Sequence, residues 1–392
     1  MVKARYKCNS CATEYPISTE ITLCQKCNHP DSSDWSSTPL QGVLDVIYDY
    51  DQLKKNFCSF HPLDLMPVER EHFSYLARDE FTPLWRPNNL QKKLGLPKLL
   101  VKDDSTLPTG SLKDRASMLV AAFAQREGVD KIVLASTGNA ASSMAGIGAA
   151  HGLEVIIFLP KAAPAAKLIQ SRQYGASVNL VDGNYDFAYQ QSYNYYQEHG
   201  GICRNTAMNP LTIEGKKSVS LEIYRQLDNQ PPDVVFVPTG DGAIISGVYK
   251  GFVDLLQLGL IQKIPTIYAA QAKGSAAIHH AFNSGNFSPI TASTVADSIS
   301  VDVPKGGARA LSYLQMFGGK TVVVSDQEIL EAQHLLASTS GIFTEPAGAA
   351  SLAGLLQVKQ SISPTDSVVL LATGHGLKDP IPPFSLRKGI LD

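Results

Sequence analysis

Near residue 110 the chain reads Pro108-Thr109-Gly110-Ser111-Leu112-Lys113-Asp114-Arg115, with a single lysine in the stretch. It follows an apolar run, Leu99–Val101, that is typical of a strand. A helical pattern continues to about Arg126, and Gly128 is a suitable end for that helix. The sequence therefore predicts a strand, a turn and a helix over residues 112–126.

Lys113 would lie in the first turn of this helix. Ser111 is a good N-cap, and Asp114 three residues later completes a pair like a capping box. The positive end of the helix dipole disfavours a cation in that turn, so the neutral amine is favoured. A neutral amine makes a lysine nucleophilic toward a carbonyl group. On this stretch alone, an ordinary solvated lysine at a helix start remains the alternative interpretation.

Length and composition limit the kind of protein this can be. With 392 residues the chain can form two or three domains, and a net charge of −2 provides no basic surface for nucleic acid. No apolar run approaches the roughly 20 residues that cross a bilayer, and the first residues contain no apolar signal core. We therefore expect a cytoplasmic enzyme with a small-molecule substrate and neither nucleic acid nor membrane as a partner.

The N-terminal region contains two CxxC pairs separated by twelve residues. This spacing brings four thiolates to one tetrahedral centre, the pattern of a structural zinc site without an open position for water. It predicts a zinc-ribbon-like β module over residues 1–38, with a polar linker at residues 29–37. A disulfide pair and a redox CxxC are the alternatives, and iron also suits four thiolates. The predicted ligands are Cys8, Cys11, Cys24 and Cys27.

After the lysine stretch, short apolar runs alternate with helical patterns, which indicates parallel sheets covered on both faces. We predict an α/β protein with two doubly wound lobes. The smaller covers residues 114–230, and the larger combines residues 40–113 and 231–392. Ligands of such sheets bind beyond the carboxyl ends of the strands. The predicted strands of this alternation begin near Lys131, Glu154, Val178, Gly201, Asp233, Thr266, Thr321 and Ser367.

Three loops follow predicted strands. Residues 136–140 read Ser-Thr-Gly-Asn-Ala before a helical pattern, and the N–H groups of a helix start suit an anion. Residues 239–244 read Thr-Gly-Asp-Gly-Ala-Ile, where glycines free the backbone to wrap one phosphate. Residues 373–380 read Thr-Gly-His-Gly-Leu-Lys-Asp-Pro. Taken alone, each loop is also compatible with ordinary turn chemistry.

Together these motifs resemble those of threonine synthase and its relatives, the fold-type-II enzymes that depend on pyridoxal 5′-phosphate (PLP), over residues 82–380. The resemblance implies that Lys113 is the catalytic residue and holds PLP covalently. It also implies that Asn139 hydrogen-bonds the 3′-oxygen of PLP, that Thr373 meets its pyridine nitrogen, and that Glu345 lies near its edge. The residues implied for the PLP phosphate are Thr239, Gly240, Asp241, Gly242, Ala243 and Ile244, and those implied for the substrate α-carboxylate are Ser136, Thr137, Gly138 and Ala140.

The activity implied by this resemblance is that of a lyase in threonine biosynthesis, which converts O-phosphohomoserine and water to threonine and phosphate. Lys113 would then serve both as tether and as acid/base. A neutral partner such as Thr373 at the pyridine nitrogen favours elimination and replacement over transamination. The resemblance further implies a homodimer.

The chain departs from the family pattern at three positions. Asp241 stands where relatives commonly carry Asn, and we expect its carboxylate to turn toward backbone N–H groups. Ala140 replaces a threonine, and Thr212 replaces an arginine. Because the arginine is lost at position 212, we expect another cation or amide to contact the substrate phosphate. The candidates are Arg172, Arg204, Asn205 and Lys216.

These departures keep two alternatives open. One is a different amino-acid substrate, as in serine or threonine deamination or in the replacement of O-phosphoserine by cysteate synthases. The other is a PLP-binding regulatory protein without catalysis, whose cysteine module contacts a partner. The intact Lys113 and Asn139 favour the enzyme. A cofactor absorbance that shifts when an amino acid is added would distinguish the two classes.

Overall fold

The chain forms two compact units in its computed structural model, which describes residues 4–28, 37–56, 61–73, 82–161 and 165–379. Unit 1 comprises Met1–Glu80 and Lys113–Ser218, and unit 2 comprises Phe81–Leu112 and Val219–Asp392. The linker predicted at residues 29–37 lies, except for its last residue, outside the described residues.

Strands and helices alternate through most of the described chain. The strands are β1 (Ala4–Cys8), β2 (Glu14–Tyr15), β3 (Leu44–Tyr48), β4 (Leu84–Trp85), β5 (Leu99–Asp103), β6 (Lys131–Ala135), β7 (Glu154–Pro160), β8 (Ser177–Val181), β9 (Ile202–Cys203), β10 (Val234–Pro238), β11 (Thr266–Ala272), β12 (Lys320–Val324) and β13 (Val368–Ala372). The helices are α1 (Tyr50–Asn56), α2 (Asn88–Leu94), α3 (Lys113–Glu127), α4 (Asn139–Ala150), α5 (Ala165–Gln173), α6 (Tyr185–His199), α7 (Leu211–Glu214), α8 (Ser218–Gln226), α9 (Ala243–Gln257), α10 (Ala277–Ser284), α11 (Gly307–Met316), α12 (Asp326–Ser340) and α13 (Pro346–Val358).

Unit 1 contains a small antiparallel sheet in the order β2-β1-β3. The first residue of β3 pairs with the end of β1, as Leu44 lies opposite Cys8. Alternate residues of β3 are buried, which is the pattern of a strand with one face on a core. The predicted division assigned residues 40–80 to the larger lobe. They group instead with unit 1, because β3 completes the sheet of the cysteine module.

A parallel sheet in the order β8-β7-β6-β9 forms the other part of unit 1. Its central strands are continuous apolar runs and are almost wholly buried, as expected for a sheet covered on both faces. Helices α3 and α4 pack against each other through small residues, and Ser143 Oγ donates to Ser117 Oγ at 2.7 Å. This packing holds the starts of both helices, where the lysine and the 136–140 loop lie.

Unit 2 is built on a sheet in the order β12-β11-β10-β13-β5-β4, parallel except for the antiparallel pair β4 and β5. Strands β5, β10 and β13 are buried along their whole length, and α13 packs against β10 through β13 on a core of Ala, Leu, Val and Phe. The predicted α/β class and its parallel sheets are confirmed.

The start of α3 corrects one detail of the prediction. The helix begins at Lys113, so Leu112 rather than Ser111 precedes it. Ser111 Oγ finds no hydrogen-bond partner among the described residues, so the Ser111 side chain does not cap the helix as predicted. The reason is that the backbone of residues 110–112 bonds to residues 373–375. The predicted end is correct, since Gly128 follows the helix with φ +67°.

None of the helices within the described ranges has both the length and the apolar character that a bilayer crossing requires.

Candidate active site and metal centre

The backbone leading to Lys113 is fixed by the segment that follows β13. Ser111 and Gly374 form an antiparallel bridge, and the Leu112 N–H donates to the Thr373 carbonyl at 2.8 Å. The His375 N–H donates to the Gly110 carbonyl at 2.9 Å. Two sequence motifs far apart in the chain are thus joined through their main chains. Thr373 is therefore hydrogen-bonded to the residue directly before the predicted cofactor lysine.

Glu345 contacts the same segment, residues 373–375. Its N–H donates to the Gly374 carbonyl at 2.8 Å, and its buried carboxylate accepts a hydrogen bond from Ser298 at 3.2 Å. A Cβ at position 374 would lie 2.6 Å from that carboxylate, so a larger residue there would displace the Glu345 side chain. Thr344 Oγ1 also donates to the Gly374 carbonyl, at 2.7 Å. Glu345 therefore contacts the segment that follows β13, and its place near the cofactor edge stays a prediction.

The glycine-rich loop of residues 239–244 connects β10 to α9. Gly242 has φ +90°, and an added Cβ would lie 2.7 Å from the Gly306 carbonyl oxygen. At Gly240 a Cβ would lie 2.8 Å from the Cα of Ile299. Thr239 is buried and donates from Oγ1 to the Val237 carbonyl at 2.8 Å. Both glycines are required because the loop packs directly on neighbouring backbone.

Asp241 uses its carboxylate as expected. Its Oδ1 accepts the N–H of Ala243 at 2.9 Å, at the first residue of α9, while its carbonyl accepts from Gly306 at 2.8 Å. The charge therefore faces a backbone donor at a helix start, where the dipole favours an anion.

Ser246 is a residue that the sequence reasoning did not identify. It lies in α9, four residues after Gly242, and is completely buried. Its Oγ has no hydrogen-bond partner within the part of the chain that the structure describes. Buried hydroxyl groups are nearly always hydrogen-bonded, so a lone one near a predicted ligand loop is informative. Its helical spacing from the glycines was the available sequence signal.

The 136–140 loop connects β6 to α4 in unit 1. Ser136 Oγ accepts the N–H of Gly138 at 3.2 Å, and Gly138 is the N-cap of α4. Apart from its own chain neighbours, no atom of the described residues lies within 4 Å of a Cβ built on Gly138, so the space above it is open. Thr137 and Asn139 are half-buried, while Ala140 is buried. The first N–H groups of α4 have no acceptor within the helix and can bind an anion.

Three of the four candidates for a substrate-phosphate contact form hydrogen bonds within the protein. Asn205 accepts the Ala135 N–H at 2.7 Å and donates to Ser192 Oγ at 2.8 Å. Lys216 Nζ donates to the Thr212 carbonyl at 2.5 Å, and Arg204 donates to Thr206 Oγ1 at 3.0 Å. These three side chains are at least 99 % buried. The fourth candidate, Arg172, is exposed in the last turn of α5.

The four cysteine sulfurs lie within 4.8 Å of one another. The Sγ atoms of Cys8 and Cys27 are 3.8 Å apart, and those of Cys11 and Cys24 are 3.5 Å apart. Four sulfurs about 2.3 Å from a tetrahedral metal would be about 3.8 Å apart, so the spacing suits such an ion. Hydrogen bonding with Thr13 lowers the pKa of Cys11 to about 6, which favours the thiolate that a metal requires.

Two contacts orient these sulfurs. The Ser10 N–H donates to Cys8 Sγ at 3.4 Å, and Tyr15 Oη lies 3.1 Å from Cys24 Sγ. Outer hydrogen bonds of this kind fix the ligands of a metal site. The predicted grouping of the four cysteines in one cluster is confirmed, and the cluster can hold a metal ion.

Comparison with known proteins places these features in a context. Residues 78–374 match the family described as pyridoxal-phosphate dependent enzyme. The chain is 35 % identical to a threonine synthase of Methanocaldococcus jannaschii over 95 % of its own length and 93 % of that protein. It is 36 % identical to a threonine synthase of Methanosarcina acetivorans, over 95 % and 92 % of the two chains.

A solved structure shows the same fold at lower identity. It is that of the processed form of threonine deaminase isoform 2 from Solanum lycopersicum, with a TM-score of 0.68 and 22 % identity. The match covers 87 % of this chain and 93 % of the deaminase. It supports the predicted PLP fold type II.

Proposed function

This chain belongs to the pyridoxal-phosphate dependent enzymes and, within them, to the threonine synthases, and from that premise we propose how its residues act. It is a PLP-dependent lyase. Its reaction is the conversion of O-phosphohomoserine and water to threonine and phosphate. The observation that carries the assignment of residues is the pairing of residues 110–112 with residues 373–375, which joins two family motifs.

Residues of unit 2 fit PLP. The loop of residues 239–244 presents a helix start to an anion, and its glycines leave no side chain between backbone and ligand. Ser111 and Ser246 are buried hydroxyl groups whose oxygens have no partner among the described residues, so they suit a ligand rich in oxygen atoms. We assign the phosphate to this loop and the pyridine nitrogen to Thr373.

Lys113 is the residue to which we assign covalent attachment of the cofactor. It is half-buried at the first position of α3, while its neighbours Asp114 and Arg115 are buried. Bound PLP supplies an electron sink that makes the α-proton of an amino acid acidic. The Lys113 amine then accepts this proton and returns a proton later in the reaction. Position at a helix start favours the neutral amine that accepts it.

The 136–140 loop is our assignment for the α-carboxylate of the substrate. Its N–H groups lie at the start of α4, and the space above Gly138 is open. Ser136 Oγ accepts from the Gly138 N–H, so its own proton remains available to donate. Asn139, the first residue of α4, is assigned to the 3′-oxygen of PLP. Helix-start donors would hold the carboxylate while Lys113 moves the proton.

Zinc is the metal that we propose for the cysteine cluster. Four thiolates suit zinc, and all four tetrahedral positions would be taken by protein. The role is therefore structural. We further propose a homodimer in the cytoplasm, on the resemblance to the family; light scattering of the purified protein tests the dimer.

The decisive experiment is an assay of the purified, PLP-loaded protein with O-phosphohomoserine, O-phosphoserine, threonine and serine. We expect phosphate and threonine from O-phosphohomoserine alone. Lys113→Ala should abolish turnover, and exposed Lys92→Ala on α2 should not. Ammonia and keto acid from threonine or serine would identify a deaminase instead. Phosphate from O-phosphoserine alone would indicate a replacement enzyme.

A further inference from the structure

Strand β3 begins at the cysteine cluster. The Cys24 N–H donates to the Gly42 carbonyl at 2.8 Å, and the Asn9 N–H donates to the Val43 carbonyl at 3.1 Å. A Cβ built on Gly42 would lie 2.9 Å from the Cβ of Cys24, so the chain entering β3 is in direct contact with the cluster. Leu44 then pairs with Cys8. A displacement of the cysteine residues would therefore also displace the start of β3.

The other end of β3 is Tyr48, about 13 Å further along an extended strand. Its hydroxyl donates to Glu214 Oε1 and accepts from Lys217 Nζ, the latter at 3.1 Å. Lys217 also forms an ion pair with Glu214, and its Nζ lies 4.3 Å from the centre of the Tyr48 ring. The Glu214 and Lys217 side chains are 1 % and 0 % exposed. Because both side chains are shielded from water, the position of each charge is set by its partners within the protein.

The segment that carries this ion pair packs against the start of α3. A Cβ on Gly215 would lie 2.4 Å from the Arg115 carbonyl oxygen and 2.9 Å from the Ala116 Cα, so the two backbones are in close contact. Ser218 Oγ accepts from Arg115 Nη1 at 2.8 Å and donates to the Gly215 carbonyl at 2.8 Å. Arg115 is two residues beyond Lys113. The contacts thus run without a gap from the cysteine cluster to the helix that begins with Lys113.

We propose that Tyr48 is a positioning residue, through which the metal-binding cluster sets the placement of the Lys113 helix start. This inference rests on the assignment of Lys113 as the cofactor lysine. The ion pair of Glu214 and Lys217 is the intermediate element, because its two charges are buried and cannot shift independently. The N-terminal module therefore contributes to catalysis without touching substrate.

The test compares four proteins: wild type, Tyr48→Phe, Cys24→Ser and the double variant. Tyr48→Phe keeps the ring beneath the Lys217 ammonium and removes only the hydroxyl. We expect kcat to fall roughly tenfold with KM nearly unchanged, since a displacement of about 1 Å costs about a hundredfold. Visible circular dichroism of bound PLP should change as well, because it reports the geometry of the cofactor. Cys24→Ser should act in the same direction. The kcat of the double variant should be no lower than that of the more impaired single variant.

Tyr196→Phe is the matched control. The Tyr196 hydroxyl also connects the N-terminal module to the rest of unit 1, donating to the Thr19 carbonyl at 2.8 Å, but from α6 rather than toward α3. It should alter the melting temperature without changing the kcat or the cofactor dichroism. Equal effects of Tyr48→Phe and Tyr196→Phe, or additive effects of Tyr48→Phe and Cys24→Ser, would overturn the inference.

Failure of the underlying assignment would look different. A wild-type protein that forms no visible PLP band, or a Lys113→Ala variant that keeps the wild-type band, would remove the cofactor lysine and the inference with it. If Tyr48→Phe does not fold, Glu214→Gln serves in its place, because it removes the charge of the same network and keeps the shape. The same loss of kcat and change in dichroism are expected.

Discussion

At the scale of single residues, the chemistry of the site depends on groups whose position is set by main-chain contacts. Lys113 follows a segment bonded to Thr373 and His375, and Asp241 faces the N–H of Ala243. Loops fixed in this way need little reorganisation when a ligand binds. Ser111 and Ser246 are buried hydroxyls without a hydrogen-bond partner among the described residues, and such groups gain from a ligand that bonds to them.

Asp241→Asn should strengthen PLP binding. Two unit charges about 4 Å apart repel by about 1 kcal/mol even in water, so removing the carboxylate charge should tighten binding roughly fivefold. An amide oxygen still accepts the Ala243 N–H, and the loop should keep its conformation. Titration of the apoprotein with PLP measures the change. Asp233→Asn, at the start of β10, is the control and should leave the PLP affinity unaltered. A weaker affinity of the Asp241 variant would argue against phosphate at this loop.

At the scale of elements, most of the sheet could be predicted because buried parallel strands are continuous apolar runs. Residues 234–238 and 368–372 are examples, and both were predicted within one residue. The place of β3 could not be predicted, since it pairs with β1 across the cysteine module and nothing local specifies that partner. The predicted N-cap of α3 was wrong for a similar reason, because residues 110–112 bond to a segment more than 250 residues away.

Helix α12 provides a test at this scale. Burial opposes the charge of Glu328, but hydrogen bonds from Ser325 and Gln357 outweigh it and hold its pKa below its ordinary value. Because the folded pKa is lowered, its contribution to stability is complete above the unfolded pKa of about 4.3 and disappears as the pH falls through the folded pKa. Glu328→Gln should therefore lose up to about 1 kcal/mol at neutral pH, and the difference from wild type should shrink in acid.

Urea unfolding at several pH values measures this difference. Glu331→Gln, on the exposed face of the same helix, is the control and should have little effect at any pH. A Glu328 effect that does not change with pH would mean that the capping box acts through shape alone, not through its charge.

At the scale of the whole molecule, the two units differ in what organises them. Unit 1 combines a parallel sheet with a small cysteine-rich sheet, and unit 2 has one large apolar core. The sequence predicted the cysteine cluster because two CxxC pairs at this spacing bring four sulfurs to one tetrahedral centre. It did not predict the buried connection through Tyr48, since Glu214 and Lys217 are separated from Tyr48 by more than 160 residues. A buried hydrogen bond between distant segments leaves no periodic pattern in a sequence.

Metal analysis tests the organisation of unit 1. We expect about one zinc per chain, because the cluster has four thiolates and one centre. A strong chelator should lower the melting temperature, as metal bound only by the folded state stabilises it. The control is Cys203→Ser, which alters a buried cysteine outside the cluster and should keep its zinc. Iron with visible absorbance, or no metal at all, would contradict the proposed zinc site.

Unit 2 has a consequence for how the protein is made on the ribosome. Strand β13 lies between β10 and β5, with Leu99 opposite Val368. The strands of the parallel sheet in unit 1 all lie between residues 131 and 203, so that sheet can assemble early in synthesis. The centre of the larger sheet must wait until residues 368–372 emerge, and until then two apolar strand edges stay open to chaperones or to other nascent chains.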